Sequence, residues 1–545
     1  MSINNWTRRG LMAGGAAAVL AAGACSPKGG GRTFSTADAR TLNRGNGAEP
    51  DTIDPHKASA NYENNIIGDM FIGLMTDAPD GSAIPGAAES FTASPDGLVY
   101  TFKLRPHTWS DGRPVTAHDF VFSYRRMADP RTAAQYVSIL YPMKNMADAA
   151  AGKAAPASIG ARALDDSTLE LTFLYQVPYI RELLTHYTTF AVPQHVVEKY
   201  GEAWTRADNI VGNGPYILKE WIPNDHIRLV KNPLFFDAGK VAIDTVNYFP
   251  TQDSSAALKR FRAGEFDLVT DSVPPQQINW LKQNMPNDLR LAPYILAQYV
   301  QFNLTRKPFN DLRVRQALSL AMYREILTEK VLRAGETPAY ALIPSGMPGY
   351  SSAQITFKHE PMAHRVARAR ALLAEAGYGP DNPLTFKLNI SGATESHQIG
   401  VALQGMWNDI GVKASIDTYD SQIHYNMLRK RDFDATWAGW IADYRDAKNY
   451  LMLFETETTD LNYGGYSNPK FDALVAASDH ERDAAAREIL LRQAEQILLD
   501  DVAIAPGDFG VTRNLVSHQI KGFVANNVNI HRTRFMSLDR ADRTA

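Results

Sequence analysis

The sequence predicts a mixed α/β protein of several domains. Its length, its globular composition and its interleaved strand and helix patterns carry that expectation. At 545 residues the chain is too long for one hydrophobic core, and length points to roughly three domains. Apolar content of 45% with 21% charged residues is ordinary for a globular protein. Runs alternating with period two give way repeatedly to stripes of helical spacing, the pattern of a layered α/β architecture.

The first residues read as an export signal. Arg8 and Arg9 precede a weakly apolar Ala/Gly run from Ala13 to Ala24, which resembles a twin-arginine leader. That run is about half the ~20 residues a spanning helix needs, so a membrane anchor of that kind is not expected. Ala22-Gly23-Ala24-Cys25 resembles a bacterial lipobox, with Ala22 where Leu is usual, and predicts a lipid on Cys25. Cleavage nearby by ordinary signal peptidase is the alternative. Cys25 is the single cysteine, so the mature chain has no internal disulfide, thiolate nucleophile or cysteine-based metal site. Residues 1–25 are expected to be removed as a signal peptide, and 26–33, with three consecutive glycines, to form a flexible tether. Net charge is −3 for the whole chain, and −5 once Arg8 and Arg9 are lost. No basic block offers nucleic acid a surface.

Beyond the tether, Leu98 to Leu104 alternates with Leu98, Tyr100, Phe102 and Leu104 on one face. Ser167 to Phe173 and His226 to Val230 repeat the pattern. Val314, Ala317, Leu318, Ala321 and Met322 have helical spacing after Asp311, a good cap. Ile399, Ala402, Leu403, Met406, Trp407 and Ile410 form another stripe, closed by Gly411. Lys470 to Leu499 reads as a helical hairpin broken near Asp479. Turns are expected at Ser110-Asp111-Gly112, Gly212 to Pro215 and Asn382-Pro383.

Ala435 to Tyr444 is the most informative stretch. It is a continuous run of aromatic and small residues, read as a buried strand ending on Asp443. Strand alternation places Trp437, Gly439, Ile441 and Asp443 on one face. A carboxylate in apolar surroundings is costly unless a cation meets it. Asp443 is therefore either the anchor of a cationic ligand or the cap of a helix beginning near Tyr444.

Several stretches, in order, resemble the solute-binding proteins of bacterial peptide ABC transporters, the oligopeptide- and dipeptide-binding family. They are Glu49 to His56, Pro85 to Ser90, Tyr100 to Arg105, Trp109 to Gly112, Val115 to Phe120, Asn213 to Tyr216, Phe309 to Ala317, Leu373 to Tyr378, and Gly439 to Tyr444. The resemblance implies a three-lobed α/β fold, a type II-like Venus flytrap with an extra inserted domain. Lobe I would comprise 34–71, 169–270 and 511–545, lobe II the insertion 72–168, and lobe III 271–510. A peptide would be trapped between lobes I and III and delivered to a membrane permease driven by two cytoplasmic ATPases. A monomer without cofactor or metal is expected.

In such relatives the Asp of Gly-Trp-x-x-Asp receives the ligand's α-ammonium, which gives Asp443 that role. Ala438 and Gly439 would lie against the ligand backbone, with sheet packing the plain alternative for Gly439. Trp437 is expected as a pocket wall, and Trp440 as wall or core. Tyr136 falls where relatives bring an aromatic to the cleft, and Asn61 joins the binding set. Departures are as telling. Well-studied oligopeptide binders carry arginines at the positions of Trp437 and Leu428, where they meet the peptide's C-terminal carboxylate in some binding registers. An aromatic of their pocket aligns with Ser421. Arg306 stands where relatives place a lysine near the ligand, and His397 falls near another position contacting the ligand's end.

The competing class is a periplasmic hydrolase. Neither a Gly-x-Ser-x-Gly elbow nor a His-Glu-x-x-His helix is present, nor a phosphate-cradling Gly-x-x-x-x-Gly-Lys-Ser/Thr. Within the family, nickel chelates, murein peptides, opines or antibiotics are alternative cargo, and nutrient sensing an alternative role. Retention of Asp443 favours an amine-bearing ligand.

Overall fold

A computed structural model describes residues 38–270, 272–458 and 461–540. The expected leader, the tether and Cys25 lie outside the described residues. One sheet of eleven strands organises the molecule. Its first half runs Lys413–Tyr419, Thr385–Ser391, Ala435–Ile441, Leu289–Phe302 and Ile504–Val516. It continues through Leu268–Thr270, Thr41–Gly45, Thr245–Phe249, His226–Lys231 and Tyr216–Ile222, with Thr337–Pro338 paired onto Ile504–Val516. The two long strands Leu289–Phe302 and Ile504–Val516 run antiparallel and are shared by both halves. Their register breaks between Pro293 and Ala297.

A separate four-stranded antiparallel sheet holds Ala88–Ala93, Val99–Leu104, Thr168–Thr172 and Ala161–Asp165. The helix Ala117–Ala128 packs on it. Tyr100, Phe102 and Leu104 are buried as their alternation predicts. Two of the expected lobe limits fall inside strands. Thr168–Thr172 crosses the limit at 168/169 because its pairing partner is Val99–Leu104, and Ile504–Val516 crosses the one at 510/511.

The ordered motifs hold the bodies together. Asp54 takes two hydrogen bonds from the Arg126 guanidinium, at 3.0 and 2.6 Å, and one from Trp204 Nε1 at 3.2 Å. The Asn213 side chain both accepts from Ile72 N–H and donates to its carbonyl, at 3.0 and 3.1 Å. A Cβ on the neighbouring Gly214 would stand 2.5 Å from the Met70 carbonyl carbon, so only glycine fits that crossing. Asp311 caps Leu312–Ala321 through Arg313 N–H at 2.9 Å. The stripe from Ile399 lies on Thr394–Asn408, with Gly411 at φ +85° beyond it. The expected hairpin is Pro469–Ser478 followed by Ala484–Asp500.

One core gathers residues from Leu42 to Leu268 together with Val516, Ile520 and Met536. Two further large cores and a small cluster around Tyr340 and Leu499 form from residues between Ile295 and Ala505, and another cluster gathers Ala257 to Leu289 with Ala334 and Leu515. Tyr444 is the exception: it comes from the second region yet packs into the first core. Among the described residues no helix is long and apolar enough to cross a membrane.

Candidate functional site

The site is built around the strand Ala435–Ile441. On one side it pairs antiparallel with Leu289–Phe302 along its whole length, from Ala435↔Phe302 to Ile441↔Leu296. On the other side Thr385–Ser391 pairs with it only at Ala435 and Thr436. From Trp437 to Ile441 that edge has no pairing strand among the described residues. Its backbone N–H and C=O groups are left for another extended chain.

Asp443 follows two residues beyond the strand. No helix begins at Tyr444; the next starts at Lys448. The backbone is pinned instead by Asn449, which is fully buried. Its Oδ1 accepts from Asp443 N–H at 3.0 Å and from Trp440 Nε1 at 2.8 Å, and its Nδ2 reaches Asp443 Oδ2 at 3.4 Å. Asp443 lines a cavity of about 230 Å³. Burial pushes its carboxyl up to about 6, and the Asn449 hydrogen bond only partly offsets that. No lysine or arginine pairs with it among the described residues. A cationic group entering the cavity would restore its charge.

The same cavity is lined by Ser59, Asn61, Tyr136, His186 and Tyr294. Tyr136 leans on His186 with ring centroids 5.4 Å apart, and His186 stacks on Tyr187 at 4.5 Å. Burial holds His186 down at about 3, so that wall is neutral. Asn61 Nδ2 donates to the Tyr294 hydroxyl at 3.4 Å. Glu63 fixes the segment before it, its carboxylate accepting from the N–H groups of Asp51, Thr52, Ser59 and Ala60.

Of the residues expected from the sequence, the fold brings Asp443, Tyr136 and Asn61 together at the cavity. Trp437 does not line the cavity. It is 4% exposed, its ring fills the space over Gly507, and its Nε1 donates to Gln298 Oε1 at 3.1 Å. Ala438 is buried in an apolar cluster, and Trp440 packs against that cluster. Gly439 borders the open edge, but a Cβ there would stand 3.0 Å from the Ala297 carbonyl oxygen, so sheet packing also requires a small residue.

Arg306 does not line the cavity: its guanidinium donates to the Arg431 carbonyl and lies 3.6 Å from Asp434, at the end of the strand opposite Asp443. Ser421 opens the helix Ser421–Arg429, and its side chain lies outside the described residues. Leu428 is fully buried, and His397 is exposed in the first turn of Thr394–Asn408. Sequence reasoning missed Asn449 and Glu63. Asn449 meets its partners only through the fold, whereas Glu63 caps its own helix at the third position, a local pattern masked by Ala60 at the cap.

The geometry defines a class: a multi-body binding protein with an inter-segment cavity and an unpaired carboxyl. The model of bacterial extracellular solute-binding proteins, family 5, matches residues 82–462, and the chain belongs to that family. It is a family of solute-binding proteins, not of enzymes. The chain is 36% identical over 526 residues to the periplasmic oligopeptide-binding protein OppA of Salmonella typhimurium strain LT2, covering 96% of each. It is 33% identical over 484 residues to the periplasmic murein peptide-binding protein MppA of Escherichia coli K12, covering 88% of this chain and 89% of that protein. The crystal structure of Haemophilus influenzae OppA in complex with RPPGFSPFR superposes with a TM-score of 0.79 at 33% identity, covering 92% of this chain and 99% of that one.

Proposed function

We propose that the chain is the exported solute-binding component of a peptide ABC transporter, and that it holds a short peptide by its α-ammonium at Asp443. The observation that carries this reading is the Asp443 carboxyl, which lines the cavity and has an amide beside it; Arg445 also lines that cavity, but no lysine or arginine is paired with Asp443 among the described residues. An ammonium supplies up to three donors to such a group with charge-assisted strength. The open edge from Trp437 to Ile441 then accepts the peptide backbone, running antiparallel from its amino terminus at Asp443 towards Trp437. Main-chain pairing reads little of the side chains, which suits a broad cargo. The relatives named above, which are oligopeptide- and murein-peptide-binding, favour peptide over the other amine-bearing ligands.

The remaining parts of the reading follow the family. Lobes I and III close on the peptide, and the closed form docks on a permease with cytoplasmic ATPases. The protein acts as a monomer, without catalysis, held at the envelope by a lipid on Cys25. Mass spectrometry of ligand released from gently purified protein tests the cargo. Short peptides with free amino termini are the expected result; a chelate or sugar acid without peptide overturns it.

A further inference from the structure

The cavity extends past Asp443 into space that the peptide backbone does not use. The open edge leads away from Asp443 towards Trp437, whereas Tyr444 and Arg445, which follow Asp443, continue the lining the other way. Against Tyr444 stacks Tyr179, with ring centroids 4.6 Å apart. The short helix Ile180–Leu183 comes directly after Tyr179 and brings Glu182 to the same cavity. Val528 and Ile530 supply apolar wall.

Glu182 is half-buried, and no lysine or arginine pairs with its carboxylate among the described residues. Burial pushes the carboxyl above the usual carboxylate range, and Asp446 adds to the rise. Its own backbone N–H, Arg445 and Arg181 pull the other way without prevailing. The remaining charges at the cavity are already met or shared. Asp77 holds Arg532 at 2.8 Å, and Asp446 holds Arg487 at 2.8 Å. His186 is neutral. Arg445 divides its attraction between Glu182 and Asp80, and pairs with neither among the described residues. With an ammonium on Asp443, Glu182 is the cavity acid left without a paired cation.

We propose that Glu182 reads the side chain of the ligand's first residue and selects peptides that begin with lysine or arginine. The proposal rests on the reading that the peptide's α-ammonium sits at Asp443. A chain that leaves Asp443 along the open edge sends only its first side chain into the space bounded by Tyr444, Arg445 and Glu182. Lysine carries its ammonium on a flexible four-carbon stem, which lets the apolar stem lie along Val528 and Ile530 while the head meets Glu182. One residue then offers two cations to two carboxylates of a single cavity. A glutamate in first place would bring a third carboxylate beside Glu182 and Asp443, with Arg445 alone in its favour.

Calorimetry tests this with tripeptides X-Ala-Ala in which X is lysine, its uncharged isostere norleucine, or glutamate. The wild type should bind the lysine peptide about five- to thirtyfold more tightly than the norleucine peptide. Moving lysine to the second position should abolish the gain. Glu182→Gln should bind the lysine and norleucine peptides alike, and Glu182→Lys should turn the preference to glutamate, a gain that a misfolded variant cannot show. Equal affinity for lysine and norleucine in the wild type overturns the proposal, as does a lysine preference that survives in Glu182→Gln. A wild-type preference for glutamate overturns it too, and assigns the side chain to Arg445. The reading at Asp443 fails separately: N-acetylation of the norleucine peptide would then leave its affinity unchanged. A wild type that binds none of the peptides overturns both.

Discussion

Asp443 draws its chemistry from what surrounds it: cavity walls in place of bulk water, the Asn449 amide, and no paired lysine or arginine among the described residues. Its carboxyl is raised to about 6, and this sets a pH dependence with a definite sign. Above pH 6 the group is ionised and ready for an ammonium; below it a proton competes. Peptide affinity should therefore fall by about tenfold between pH 7 and pH 5, since the peptide amine stays protonated throughout. Ligand-free stability moves the other way. A carboxyl raised in the folded state binds its proton more tightly there than in the unfolded chain, so stability is lost as pH rises from about 4 to about 6. Calorimetric titrations across that range check the first effect, and thermal melts without ligand the second. Flat affinity from pH 7 to 5 would count against an ionised Asp443 in the complex.

At the scale of the element, the strand Ala435–Ile441 was largely legible. Its unbroken aromatic and small residues gave a strand, and alternation put Trp437 on the Asp443 face. What alternation could not give was depth along that face. Trp437 is buried over Gly507, seventy residues away in sequence, while Ile441 is 42% exposed beside the cavity. Where Arg306 falls was not legible either: chain order carries no information on which end of a strand a loop meets, and Asp434 and the Arg431 carbonyl hold it at the end away from Asp443. Asn449 was invisible because only the fold brings it to Asp443 and Trp440, and Glu63 because the capping position three residues before it is Ala60 rather than the usual Ser or Thr. The tight space at Gly439 gives a test at this scale. Gly439→Ala places a methyl 3.0 Å from the Ala297 carbonyl oxygen and should destabilise the fold by about 1–3 kcal/mol. Denaturant unfolding measures it, and an unchanged midpoint would show that the two strands have room to part.

For the whole molecule, Tyr444, the residue after Asp443, joins the bodies. Tyr444 stacks on Tyr179 with ring centroids 4.6 Å apart and planes 4° from parallel. The Arg487 guanidinium lies 5.7 Å from the Tyr179 ring and takes both oxygens of Asp446 at 2.8 Å. Asp443, at the cavity, and this contact between bodies thus share one short loop. Tyr444→Ala removes the stack, for which such pairs contribute about 0.5–1.5 kcal/mol beyond the area they bury. The variant should bind peptide about tenfold more weakly and scatter X-rays as a more open ligand-free particle. Wild-type affinity and size in that variant would mean the stack plays no part in closure. The three-body arrangement as such was not readable from periodicity, because crossovers between bodies leave no local mark; the ordered family motifs supplied that expectation. The central claim, that Asp443 receives the ligand's amine, is tested most directly by a cycle of four affinities. A short peptide and its N-acetylated form are titrated into wild type and Asp443→Asn. Acetylation should weaken binding to the wild type by about 1.5–3 kcal/mol and binding to Asp443→Asn by far less. An equal loss in both proteins would place the amine somewhere other than Asp443.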